Sequence, residues 1–70
     1  MSKFLIVIEK EGRNYSAYSP DLDGCVATGK TMEDAESNMV EAIQMHVQGL
    51  IEDRHPIPKS HSHAEFVAIP

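Results

Sequence analysis

With Cys25 as its only cysteine, the chain cannot staple itself with an intramolecular disulfide. The lack matters because a chain of 70 residues buries only about 60% of the surface that its unfolded form exposes. A second source of stability is expected, from a metal or from self-association, and self-association fits the residues better. Long apolar runs are absent too. Phe4-Leu5-Ile6-Val7-Ile8 is too short for the core of a signal peptide and gives way to Glu9, Lys10 and Glu11. Nothing approaches the roughly 20 apolar residues that span a bilayer, so a cytoplasmic location is expected. No GxGxxG, phosphate-binding loop or GxSxG occurs.

Positive charge is the next scarcity. Six Lys and Arg face eleven Asp and Glu, for a formal net charge of −5. Residues 31–54 hold Glu33, Asp34, Glu36, Glu41, Glu52 and Asp53 against Arg54 alone, so this segment carries a net charge equal to the total. Such a surface repels nucleic acid and attracts basic proteins. The plainer reading is that these are solvated helix carboxylates.

The patterning that is present divides the chain into four strands and a helix. Residues 3–10 are apolar on both sides, with Phe4, Ile6 and Ile8 on one face and Leu5 and Val7 on the other. That places the strand centrally in a sheet. Glu11-Gly12-Arg13-Asn14 is a hairpin turn. A second strand, about Tyr15 to Ser19, leads into the turn formers Pro20-Asp21-Leu22-Asp23-Gly24, and a short third strand runs from Cys25 to Thr28, closed by Gly29. Thr31 is an N-cap candidate with Asp34 three residues on, so a helix should start near Met32. Ala35, Met39, Ala42, Ile43, His46 and Leu50 form its apolar stripe, widened by Val40, Val47 and Ile51. Gly49 is an interior weak point, costing about 1 kcal/mol relative to Ala. Asp53-Arg54-His55-Pro56 ends the helix. After a polar loop through His63, a last strand is expected from Ala64 to Ile69.

The expected fold is therefore α+β, in the order β-β-β-α-β. Three antiparallel strands are followed by a fourth parallel to the first, giving a sheet order of 3-2-1-4 with one helix on one face. The other face, with Leu5, Val7, Val67 and Ile69, then needs a second subunit or a partner.

Few residues suggest chemistry. His55, His61 and His63 lie close in sequence and resemble a set of zinc or nickel ligands, but no Cys pair or helical zinc motif accompanies them. They are read as solvated loop histidines whose titration makes the loop pH-sensitive. His46, on the core stripe, is read as a partly buried structural histidine. Asp21 and Asp23, with Glu9 or Glu41, are the carboxylates from which a cation site would have to be built. The alternative is that both aspartates hold turn geometry through side-chain to backbone hydrogen bonds. Cys25 has no neighbouring cation to activate it and reads as a buried thiol. Tyr15 and Tyr18 fall on opposite faces of the second strand, and an exposed tyrosine beside acidic turn residues suits an interface anchor.

The stretch Tyr15-Ser16-Ala17-Tyr18-Ser19-Pro20-Asp21-Leu22-Asp23-Gly24-Cys25-Val26-Ala27-Thr28-Gly29 resembles the signature of HicB-type antitoxins. It has an aromatic-rich strand, a Pro-Asp-Leu turn, Gly-Cys, and a small-residue strand ending in Gly. Lys30-Thr31-Met32-Glu33-Asp34-Ala35 resembles the start of that family's helix, and Pro56-Ile57-Pro58 is similar to its tail. The resemblance covers essentially the whole chain. It implies a partly degraded ribonuclease-H-like fold, no catalysis, no cofactor, and binding to a small basic HicA-type toxin that cleaves messenger RNA. Carboxylates complementary to a basic partner would speed encounter and fix orientation.

Two departures stand out. Asp23 occupies the place where the family commonly has proline. Many members also continue into a DNA-binding domain, whereas this sequence stops at Pro70, so one domain over residues 1–70 without DNA binding is expected. The expected partner surface is Tyr18, Asp21, Asp23, Glu33 and Glu36, with a homodimer or higher oligomer and no membrane association. Other readings are a metal-dependent nuclease on the same framework, or an orphan regulatory oligomer without a toxin.

Overall fold

The computed structural model describes residues 2–70. Three antiparallel strands, β1 (Val7–Glu11), β2 (Asn14–Tyr18) and β3 (Val26–Gly29), form a sheet in the order β1-β2-β3. One helix follows, α1 (Met32–Glu52).

The local chemistry of each junction explains the path. Gly12, at φ 59°, takes the first position of the two-residue β1–β2 turn, where the left-handed region is required and a Cβ is unwelcome. Pairing then runs from Glu11↔Asn14 to Val7↔Tyr18. Between β2 and β3 the backbone closes two short turns, with Leu22 N–H donating to Ser19 C=O (3.2 Å) and Cys25 N–H to Leu22 C=O (3.3 Å). These turns drive Leu22 into the core.

At the start of α1, Thr31 is extended (φ −129°, ψ 166°) and its hydroxyl accepts from Asp34 N–H at 3.0 Å, as the sequence predicts. The far end is a Schellman closure: His55 N–H donates to Leu50 C=O (2.9 Å) and Arg54 N–H to Ile51 C=O (3.1 Å). Arg54 sits at φ 59°, in the position that usually takes glycine.

The core lies between the sheet and the helix, and consists of Ala17, Leu22, Cys25, Ala35 and Met39. Phe4, Ile6, Ile8, Tyr15, Ala27, Ala42 and Ile43 pack around it, half-buried. Burying Leu22 and Met39 contributes about 1.5–3 kcal/mol each. Small residues let the helix approach β3 closely. A Cβ on Gly29 would lie 2.7 Å from the Asp34 carbonyl carbon and 2.8 Å from the Asp34 Cβ, and nearer still to the Ala35 nitrogen. Asn38 ties the same junction by donating its amide N–H to Thr28 C=O at 2.8 Å.

The β-β-β-α part of the expected α+β fold is present, with two differences. The first strand begins at Val7 rather than near residue 3, because β2 ends at Tyr18, opposite Val7, and leaves Phe4 to Ile6 without a ladder partner. It also lies at the edge of the sheet rather than centrally. The second difference explains the first: among the described residues no fourth strand is paired beside β1, and the sheet shows the order β1-β2-β3 without the fourth position of 3-2-1-4. Residues 64–70 are all exposed and make no regular structure. The shape records this extension. The radius of gyration is 13.5 Å, against about 11 Å for a compact domain of this length. The longest axis of 47 Å exceeds the roughly 31 Å of the helix itself.

Candidate partner-binding surface

Strand alternation sends Tyr15, Ala17 and Ala27 toward the helix and turns their neighbours to the opposite face. On that open face the register aligns Val7, Tyr18 and Val26 in one row across all three strands. Tyr18 is 40% exposed and Val26 63% exposed. Leu5 and Val7 are half-buried and continue the row along β1. An apolar row with a phenol at its centre is suited to a protein partner: the ring supplies area and the hydroxyl a hydrogen bond.

The turn after β2 walls one end of the row. Tyr18, Pro20, Asp23, Gly24 and Val26 border a shallow recess there, together with Ser19 and Cys25. The Ser19 hydroxyl is buried and has no hydrogen-bond partner among the described residues. Such a group costs about 1–3 kcal/mol while it stays unmatched. Burial raises the pKa of Cys25 at the base of this turn, which keeps it a neutral thiol.

Asp21 turns the other way. Its side chain is fully buried, and the far end of the chain wraps it. Ser62 donates its hydroxyl to Oδ1 (2.8 Å) and its N–H to Oδ2 (3.2 Å), His61 N–H donates to Oδ2 (3.2 Å), and the Ser60 hydroxyl lies 3.5 Å from Oδ2. The His61 Nδ1 is 3.3 Å from Oδ1. Burial alone would raise the Asp21 carboxyl. The Ser62 hydroxyl and N–H, the charge of His61 and the His61 N–H outweigh it and hold the group below its ordinary value of 3.8. The carboxylate thus fastens residues 60–62 to the β2–β3 turn.

The expected partner residues therefore separate. Tyr18 and Asp23 are exposed at the row and its recess. Asp21 is consumed by its own chain, so it can shape the surface without touching a partner. Glu33 and Glu36 are exposed on the first turns of α1, which covers the other face of the sheet. They enter the chain after Gly29, about 10 Å further along β3 than Val26. They form a second acidic patch rather than a rim of the first. The histidines are dispersed as well: His61 faces Asp21, His63 lies 2.6 Å from Glu65 and His55 closes the helix. Among the described residues no group of three or more His, Cys, Asp or Glu is placed to hold a metal ion, and no helix is long and apolar enough to cross a membrane. Sequence reasoning missed Val26, Ser19 and the Asp21 clamp. Period-two alternation from Tyr18 would have found Val26, but nothing local links Asp21 to serines some 40 positions away.

A three-stranded sheet with one covered face and an apolar row on the other presents a surface suited to binding. The comparisons with known proteins give its kin. Residues 4–70 match the family described as "HicB_like antitoxin of bacterial toxin-antitoxin system", and the chain belongs to that family. A protein of Haemophilus phage HP1, named only as an uncharacterized 14.9 kDa protein, is 37% identical over 65 residues, which are 93% of this chain. The match covers 49% of the phage protein, so this chain spans about half of its length. A UPF0150 protein of Synechocystis is 39% identical over 57 residues, covering 80% of this chain and 72% of that protein. Among solved structures, a "HicA3 and HicB3 toxin-antitoxin complex" aligns with a TM-score of 0.68 and 31% identity, over 84% of this chain and 72% of that one.

Proposed function

We propose that this chain is an antitoxin module that binds and neutralises a small basic toxin of the HicA type, and that the 70 residues act as one binding unit. Family membership and the likeness to a toxin-antitoxin complex support this reading, as they support a role without catalysis. The observation that carries it is the Val7–Tyr18–Val26 row, with Tyr18 and Val26 exposed and a recess at one end that has Asp23 at its edge. In this reading Tyr18 anchors the partner and Asp23 meets a basic group at the edge of the contact. The Asp21 clamp fixes the turn that presents them. Glu33, Glu36 and the rest of the −5 charge steer a cationic protein in from a distance.

The test is titration calorimetry against the short basic protein encoded beside this gene. Association is expected to be tight and to weaken as salt rises. Absence of such a reading frame, together with no binding to a HicA-type toxin, would overturn the proposal.

A further inference from the structure

The same chain carries an unpaired sheet edge and an unpaired strand-like segment, and they match. Among the described residues the outer edge of β1 has no paired strand, and residues 5–8, Leu-Ile-Val-Ile, are apolar on both faces. No proline interrupts this edge, and its charges, Lys3, Glu9, Lys10 and Glu11, flank residues 4–8 without entering them, so the apolar stretch itself carries no charge to block pairing with another strand. Residues 64–69, Ala-Glu-Phe-Val-Ala-Ile, are also apolar on both faces, with Phe66 and Ala68 alternating against Val67 and Ile69. They stand in solvent, with Phe66 fully exposed, Val67 76% and Ile69 82% exposed. An exposed run of that kind normally marks a contact with another molecule.

The path of the chain decides where the contact is made. Residues 57–60 pass beside residues 2–4, ahead of β1. Asp21 then fastens residues 60–62 to the turn that follows β2. Residues 64–70, which follow this clamp, are exposed and make no regular structure. The clamp holds residues 60–62 on the β2 side of β1, away from its outer edge.

We infer that residues 64–69 form the fourth strand of a second copy, adding to the outer edge of that copy's β1, while the second copy returns its own segment in the same way. A two-fold exchange satisfies both edges and both segments at once and needs no other partner. It also accounts for the half-buried state of Phe4, Ile6 and Ile8, whose side chains lie on the helix-covered face nearest the open edge. The inference goes beyond toxin binding and does not depend on it: the exchange uses the edge of the sheet, whereas the toxin reading uses its open face.

The chain alone is sufficient for the test. Sedimentation equilibrium is expected to return a dimer, with the amides of residues 65–69 protected from hydrogen exchange. The double variant Phe66→Asp, Val67→Asp is expected to sediment as a monomer that keeps the helical far-UV signal of α1, since both side chains are exposed within one copy. Val67→Pro and Ala68→Pro separate strand pairing from mere apolar contact. Adjacent N–H groups alternate in direction, so one of the two prolines must remove a ladder donor and dissociate the dimer. A wild-type monomer, with or without protected tail amides, would overturn the inference, as would a dimer that survives all of these substitutions. Toxin binding measured on the same variants keeps the two readings apart, because either can fail alone.

Discussion

The two faces of the sheet are built from different materials. Under the helix, Ala17, Ala27, Ala35 and Gly29 keep the layers close, and Met39 and Leu22 fill what space is left. On the open face the row is larger and more polar, Val7, Tyr18 and Val26, with Val7 half-buried and the other two exposed. Small residues serve a fixed distance between elements of one chain. The exposed row has no such distance to keep, which is why it can offer area to a partner without holding the fold. Substitutions on the two faces should therefore separate stability from binding.

The largest effect on stability is expected from Met39→Ala, at about 2–5 kcal/mol, because it empties the middle of the covered layer. Chemical denaturation measures it, and in so small a domain the variant may be studied as the loss of a cooperative transition. Gly29→Ala should follow at about 1–3 kcal/mol, since the new methyl meets Asp34 and Ala35 backbone that cannot turn aside. On the open face, Val26→Ser should change stability by less than about 0.5 kcal/mol, and equality with Met39→Ala in the same denaturation series would break the comparison.

The Asp21 clamp links the faces to the tail, and its response to acid is signed. Its carboxyl titrates lower in the folded chain than when unfolded, so the stabilisation is complete above about 3.8 and is lost as pH falls through the lower, folded value. Hydrogen exchange at the Ser62 amide should accelerate in that window, and Asp21→Asn should show fast exchange at neutral pH as well. A small effect of the opposite sign belongs to Arg54→Gly. Relieving a non-glycine residue at φ 59° should stabilise the chain by about 0.5–1 kcal/mol.

How much of this was legible in the sequence depends on how local the cause is. Thr31 as helix cap, Gly12 in the hairpin and the helix end before Pro56 are decided within a few residues, and the structure follows them. The apolar stripe was legible in direction, though Val40 and Ile51, read as widening it, are about half exposed. Tyr18 and Asp23 were identified as surface groups because turn chemistry and strand parity place them. Asp21 was grouped with them for the same reason, and only its contacts with residues 60–62 show that it faces inward. A fourth strand was expected at Ala64 to Ile69 from its composition, and the structure shows no regular structure there. Pairing, however, depends on which edge the chain can reach, and composition does not encode that path.

On the proposed function the open face of the sheet receives the partner. Calorimetric titration of Tyr18→Ala with the basic toxin tests it most directly, beside a denaturation curve of the same variant. Affinity should fall by about 2 kcal/mol, roughly thirtyfold, as for a truncated aromatic anchor, while stability stays within about 0.5 kcal/mol of the parent. Parental affinity in a folded Tyr18→Ala chain would contradict the claim.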